Sequence, residues 1–216
     1  MFEIQINRRT ILNEQGSAFG GINVYLKNVC DEIQDLTFLE MKMSNADIIV
    51  DRVEFYENDE IVPYTRETKE GLVYIKVDLR GITLPPNLIL RFIMRFNIPA
   101  LAKKFDNQYF IKETFFHVMD NTKACSWTIK YEIPRFYDKW KVWKEMDIKA
   151  PDASEIENCS SSKQLTYHFV LENGGKKEVS FMFQERNNST IVKTIVFLLG
   201  IGFTQLGKWV ISLIFE

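Results

Sequence analysis

Apolar and polar residues alternate in short runs over most of the chain, from Phe2 to about Gln184. In the run 22–27 the aliphatic side chains fall on one face, and in the run 88–98 they share a face with aromatic ones. A period of two is typical of a β-strand with one buried face. The same pattern recurs in the runs 36–43, 48–56 and 72–79.

Roughly nine or ten such runs, at intervals of about 8–20 residues, predict a mainly β domain, an antiparallel sandwich or barrel, over residues 1–186. The six prolines lie between the runs or near their ends, where strands tolerate them. Asn173, Gly174 and Gly175 between two β-rich runs, 165–171 and 178–183, predict a tight hairpin.

Two stretches lack the alternation. Residues 100–106 predict a helical turn or a loop, and residues 149–163, which are rich in serine and acidic residues, predict an exposed loop.

Residues 187–216 form a separate unit, because the composition changes abruptly after Thr190. Residues 191–215 are almost entirely apolar and predict one long C-terminal helix, with Asn188 or Ser189 as the N-cap. A helix of this length spans about 37 Å. Because the hydrocarbon core of a bilayer is about 30 Å thick, it can cross with a tilt.

The polar residues of this helix fall within about 120° of its circumference when each residue advances by about 100°. They form a polar stripe of Lys193, Thr194, Thr204, Gln205, Lys208 and Ser212. Small residues at Gly200, Gly202 and Gly207 permit close approach of a second helix. Polar groups inside a membrane face a bundle interior or water, so the stripe predicts self-association.

Two other interpretations of residues 191–215 stay open. The helix lies flat in the membrane interface, or it packs on the β-domain as an ordinary amphipathic helix with its stripe in water.

A second segment combines basic and aromatic side chains that suit a headgroup layer or base stacking. Its residues are Arg135, Lys139, Trp140, Lys141, Trp143 and Lys144. Headgroup contact is the better functional interpretation, because it requires only that the segment faces the anchored side. A solvated edge strand explains the same pattern.

Net charge, the N-terminal residues, the cysteines and the absence of catalytic motifs limit the location and the functions that the sequence allows. A net charge of −2 gives no general attraction to nucleic acid, and the charged N-terminus lacks the apolar stretch of a signal peptide, so the β-domain is expected in the cytoplasm. Cys30, Cys125 and Cys159 are too few and too widely spaced for a disulfide framework, and are expected to be reduced. No catalytic or nucleotide-binding motif occurs, His117 is expected to be a packed strand residue, and no metal or cofactor is predicted.

The sequence therefore predicts a non-enzymatic, single-pass membrane protein, a sensor or effector. Its β-domain binds an unidentified ligand or protein, and its helices form a homo-oligomer that can permeabilise the membrane. The layout is similar to that of bacterial abortive-defence effectors, a comparison of architecture alone. The alternatives are a passive tail-anchored scaffold that recruits a protein partner, and a wholly soluble β-domain with a packed C-terminal helix.

Overall fold

A computed structural model describes residues 1–45, 47–106, 108–118, 122–134 and 146–185. These residues form sixteen β-strands. The strands are β1 (Phe2–Leu12), β2 (Ala18–Asn28), β3 (Gln34–Asp35), β4 (Phe38–Met43), β5 (Ile49–Phe55), β6 (Tyr64–Lys69), β7 (Leu72–Asp78), β8 (Thr83–Leu84), β9 (Ile89–Ile98), β10 (Lys103–Phe105), β11 (Gln108–Phe116), β12 (Thr122–Pro134), β13 (Met146–Lys149), β14 (Glu155–Asn158), β15 (Ser162–Glu172) and β16 (Lys176–Glu185).

Two seven-stranded sheets form a sandwich, which confirms the predicted mainly β class. Sheet I has the order β14-β15-β12-β1-β2-β9-β5. Sheet II has the order β13-β16-β11-β4-β7-β6, with β10 paired to β11 as its seventh strand. The short strands β3 and β8 pair with each other outside both sheets.

The core lies between the two sheets and is built from the alternate positions that the sequence pattern identified. On β2 the inward residues Ile22, Val24 and Leu26 are fully buried. On β9 the buried Phe92 and Met94 face them from the neighbouring strand. Because successive strand residues point to opposite faces, one apolar residue in two is enough to fill this interior.

Sheet I is mixed, whereas the sequence predicted antiparallel pairing. β1 runs parallel to β12, with Ile6 opposite Trp127 and Arg8 opposite Ile129, and antiparallel to β2. Strand direction depends on which distant segment becomes the neighbour. More than 100 residues separate β1 from β12, so no local pattern indicates this direction.

The predicted hairpin around Gly174 is wrong. β15 pairs with β12 and β14 in sheet I, whereas β16 pairs with β11 and β13 in sheet II. The turn itself is tight: Gly174 has a φ of +73°, and the Gly175 amide donates to the Glu172 carbonyl at 2.8 Å. The turn therefore connects the two sheets, because each flanking strand finds its partner elsewhere.

The strand count exceeds the predicted nine or ten because several strands are only two to four residues long. Runs this short cannot display a period of two. Two of them, β10 and β14, lie in the stretches 100–106 and 149–163, which the sequence predicted to be irregular. All four residues of β14 are exposed, as expected of that stretch.

None of the described residues belongs to a helix long and apolar enough to cross a membrane. The predicted C-terminal helix and the boundary at residue 186 lie outside the described residues, which end at Glu185. Both therefore stay predictions.

Candidate ligand-binding groove

The sites that the sequence singled out also lie outside the described residues. They are the polar stripe of residues 193–212, the glycines of residues 200–207 and the basic–aromatic segment 135–144. The structure does show where the chain enters and leaves these segments.

One end of the sandwich, the exit pole, carries Pro134, Met146 and Glu185. Met146, the first residue of β13, is the register partner of Glu185, the last residue of β16. Pro134 ends β12, which runs parallel to β1 and finishes beside the end of that strand. At this end the Tyr109 hydroxyl of sheet II donates to the Glu14 carbonyl, which follows β1, at 3.0 Å. Segments 135–145 and 186–216 are therefore both attached at the exit pole.

A groove of about 590 Å³ lies on the outer face of sheet II, where β10, β11, β13 and β16 lie side by side. Register pairing aligns Lys149, Met182, Phe110 and Lys103 in one row across these four strands. Phe110 is 40% exposed. The ring of Phe105 packs edge-on against it, with 5.9 Å between the two ring centres. The groove therefore has an apolar floor, Met182 and Phe110, with a lysine on each side.

The charges around this floor are unbalanced. Lys112, two residues further from the exit pole along β11, forms an ion pair with Glu178 at 3.0 Å. Within the part of the chain that the structure describes, no carboxylate forms an ion pair with Lys103 or Lys149. These two ammonium groups give the groove a local positive potential, although the whole chain has a net charge of −2.

The far end of the groove is polar. Ser180 lies opposite Lys112, and Thr114 and Ser44 follow in the direction away from the exit pole. The backbone amide of Thr114 donates to the Ser44 hydroxyl at 2.7 Å. The groove is therefore amphipathic along its length, with its apolar part nearer the exit pole and its hydroxyl groups further away.

Sequence reasoning missed this groove, although a signal was present. The runs Tyr109-Phe110-Ile111 and Phe181-Met182-Phe183 are continuously apolar, whereas a strand with one face in water alternates. The first and last residues of each run are buried in the core, so the middle residue, Phe110 or Met182, points to the outer face of the sheet. These runs indicate an apolar outer surface, but their alignment between two lysines depends on the pairing of four strands.

A second concavity, of about 430 Å³, lies on the outer face of sheet I around Gly21. Arg9 and Arg95 are the register partners of this glycine on either side. Arg9 forms an ion pair with Glu132 at 2.6 Å, and Arg95 forms one with Glu54 at 2.9 Å. Because both guanidinium groups already have carboxylate partners, this concavity is a weaker candidate for binding an anion.

A charged cluster also lies inside the sandwich. Arg8 Nη2 of β1 contacts Glu113 Oε1 of β11 at 2.9 Å, and the Tyr131 hydroxyl donates to the same carboxylate. The guanidinium lies about 5 Å from the ring centres of Phe96 and Phe115. Burial raises the pKa of Tyr131 well above its ordinary value, which keeps it a neutral donor. Because all three side chains are buried, this cluster joins the two sheets and offers no surface to a ligand.

Groups that could support catalysis are dispersed among the described residues. No three His, Cys, Asp or Glu side chains of that part of the chain lie close enough together to hold a metal ion. His117, predicted to be a packed strand residue, lies just beyond β11 and is half-buried, with its Nε2 3.0 Å from the Thr122 hydroxyl. Cys125 is buried, and burial raises the pKa of its thiol to about 12.

No protein-family model matches the sequence, and no curated protein is significantly similar to it. Among solved structures, the M1 zinc metallopeptidase of Deinococcus radiodurans is similar in fold with 8% identity and a TM-score of 0.44, over 84% of this chain and 41% of that one. Leukotriene A4 hydrolase of Saccharomyces cerevisiae is similar with 10% identity and a TM-score of 0.45, over 85% and 29%. The chain thus spans less than half the length of either protein. Likeness at these values carries no argument about activity.

Proposed function

We propose that this protein is a non-enzymatic, membrane-tethered sensor or effector. Its β-sandwich binds a ligand in the groove of sheet II, and residues 191–215 enter a bilayer and associate with copies of themselves. The observation that carries the proposal is that segments 135–145 and 186–216 are attached at the same end of the sandwich, the exit pole. A single membrane surface at that pole would meet both of the segments whose sequences favour lipid.

The composition of residues 191–215 supports insertion and self-association. Their apolar side chains cover about two thirds of the helical circumference, and the polar stripe occupies the remainder. Lys193 and Lys208 are costly in lipid unless they reach the interface or face water between helices. An assembly of several helices with their stripes inward satisfies these residues and creates a route for leakage.

The groove lies close enough to the exit pole for ligand binding to influence the membrane segment. Two register rows, the pairs Tyr109 with Phe183 and Gln108 with Gln184, separate the groove floor from the row of Met146 and Glu185. The side-chain amide of Gln108 donates to the side-chain oxygen Oε1 of Gln184 at 3.1 Å. A ligand on the floor would contact Met182 of β16, and segment 186–216 begins four residues further along the chain.

The exposed rings of Phe105 and Phe110 favour a second candidate function. They provide an apolar surface near the exit pole, against which residues 191–215 could pack as the apolar face of an amphipathic helix. The protein would then be a soluble binding module with no membrane role.

Fractionation separates these candidates. The full chain is compared with a version that ends at Asn188, which retains all sixteen strands of the described residues. We expect the full chain in the membrane fraction and the shortened chain in the soluble fraction, with matching β-type circular dichroism as the folding control. Equal solubility of both would reject membrane insertion in favour of the packed helix.

The mass of the detergent-solubilised full chain then distinguishes an effector from a passive scaffold. We expect several copies per particle. A monomer would exclude a pore built from several helices and leave a tethered module that recruits a protein partner.

A further inference from the structure

We infer that the groove of sheet II binds a single-chain anionic lipid, a molecule with one alkyl chain and one carboxylate or phosphate head. The inference rests on the proposed function to the extent that the lipid comes from a bilayer at the exit pole. The binding chemistry itself depends only on described residues.

The size and floor of the groove suit a small apolar body. Its volume of about 590 Å³ falls inside the range of about 300–1,000 Å³ that is typical of small-molecule sites. Phe110 offers a ring face or edge, and the flexible thioether chain of Met182 adapts to irregular shapes. An alkyl chain on this floor would cover apolar surface that otherwise faces water.

The lysines supply the preference for an anion. Lys103 and Lys149 lie three strand spacings apart, which is about 14 Å between their backbones. Their long side chains can both lean over the floor towards one head group, and an ammonium group binds carboxylate or phosphate as a compact point charge. Lys112 adds little net charge because Glu178 neutralises it.

The polarity of the groove gives the bound lipid a direction. The apolar floor lies on the exit-pole side, and the hydroxyls of Ser180, Thr114 and Ser44 lie beyond it. An alkyl chain on the floor would therefore point towards the exit pole, where it would reach the hydrogen-bonded pair Gln108 and Gln184, and the head would lie between the lysines and the hydroxyl groups. This is the orientation of a lipid withdrawn head-first from a membrane at that pole.

The protein's own residues 191–215 are a poor electrostatic match for the groove. They contain Lys193 and Lys208 and no acidic side chain, so they bring positive charge to a positive surface. An anionic amphiphile satisfies the floor and the lysines together.

The test uses the full chain in phosphatidylcholine vesicles with photoactivatable palmitic acid, and peptide mass spectrometry locates the crosslinks. We expect labelling of β11 and β16 that unlabelled oleate or lysophosphatidate competes away. The double variant Lys103→Glu/Lys149→Glu should reduce this labelling about tenfold or more, because two charge-assisted contacts are lost. Lys130→Glu, an exposed lysine on the outer face of sheet I, should leave it unchanged.

A photoactivatable palmitic acid methyl ester, which has the same chain without the charge, should label the groove at least about tenfold less. The inference is overturned by equal labelling with acid and ester, by full labelling of the double variant, or by labelling confined to residues 191–215. Flotation of the same vesicles keeps the two proposals separate. If the protein does not float, membrane tethering is rejected, and labelling of the groove still tests lipid binding. If the protein floats and the groove is unlabelled, only lipid binding is rejected.

Discussion

Arg8 and Glu113 place two opposite charges between the sheets, where 3% and 4% of their side chains are exposed. Burial by itself would lower the pKa of Arg8, and the adjacent carboxylate of Glu113 raises it above its ordinary value, so the guanidinium stays charged. Such a pair recovers by mutual attraction much of the hydration that it loses, and little more. Stability is lost when only one of the two charges is removed, because the other is then buried without a partner.

Glu113→Gln should therefore destabilise the sandwich by about 3–5 kcal/mol, because it leaves the buried Arg8 charge without a counter-charge. The matched control is Glu178→Gln, which breaks the exposed ion pair between Glu178 and Lys112. Lys112 is the neighbour of Glu113 on β11, and loss of this exposed pair should cost under about 1 kcal/mol. Urea unfolding followed by circular dichroism measures both. Equal midpoints for the two variants would contradict the structural role of the buried pair.

Gly20 and Gly21 are neighbours on β2 with opposite surroundings. A Cβ on Gly20 would lie 2.0 Å from the Arg9 carbonyl oxygen, whereas the nearest atom to a Cβ on Gly21 is 3.7 Å away. Gly20→Ala should cost about 1–3 kcal/mol, because backbone or core must shift to accommodate it, and Gly21→Ala should be close to neutral. Thermal unfolding of the two variants checks this, and a neutral Gly20→Ala would show that β1 and β2 separate easily.

At the scale of elements, strand position matters more than strand composition. β1, β2 and β12 are central in sheet I and have paired neighbours on both sides, whereas β14 lies at its edge and is exposed throughout. Edge strands open without disturbing the rest of a sheet, while central strands exchange through larger openings.

Hydrogen exchange should therefore be slowest in peptides from β1, β2 and β12, and fastest in those from β14. The expected difference is several orders of magnitude in rate, because the protection of a central strand approaches the global stability and that of an edge strand does not. Mass spectrometry of exchanged peptides measures it. Comparable protection of β14 and β1 would contradict the strand order.

At the scale of the molecule, the exit pole relates the sandwich to the segments that the sequence assigned to lipid. The described chain ends there at Glu185, and segment 135–145 is attached there at both of its ends. The groove floor, at the pair Phe110 and Met182, lies three register positions away. Ligand binding, headgroup contact and helix assembly would then all take place near the exit pole. The proposed sensor requires this arrangement, because ligand binding has to influence the membrane segment.

The proposed pore predicts leakage that depends on the polar stripe. Lys208→Leu or Gln205→Leu should abolish dye release from vesicles without reducing insertion, because the lumen loses its polar lining. Leu199→Ile, about 180° away on the helical wheel, is the control and should leave leakage unchanged. Unchanged leakage in the stripe variants would reject the lumen role, and flotation verifies insertion in each case.

The sequence alone determined the β class and the inward faces of strands such as β2 and β9, because alternation is a local property of a segment that has one buried side. The continuous apolar runs around Phe110 and Met182 carried a signal for the groove floor, but no groove was predicted from them. Only the tertiary structure decided that the strands on either side of Gly174 belong to different sheets, that β1 runs parallel to β12, and that Lys103 and Lys149 flank one floor. These features depend on pairing between segments far apart in the chain, and such pairing leaves no period in any one of them.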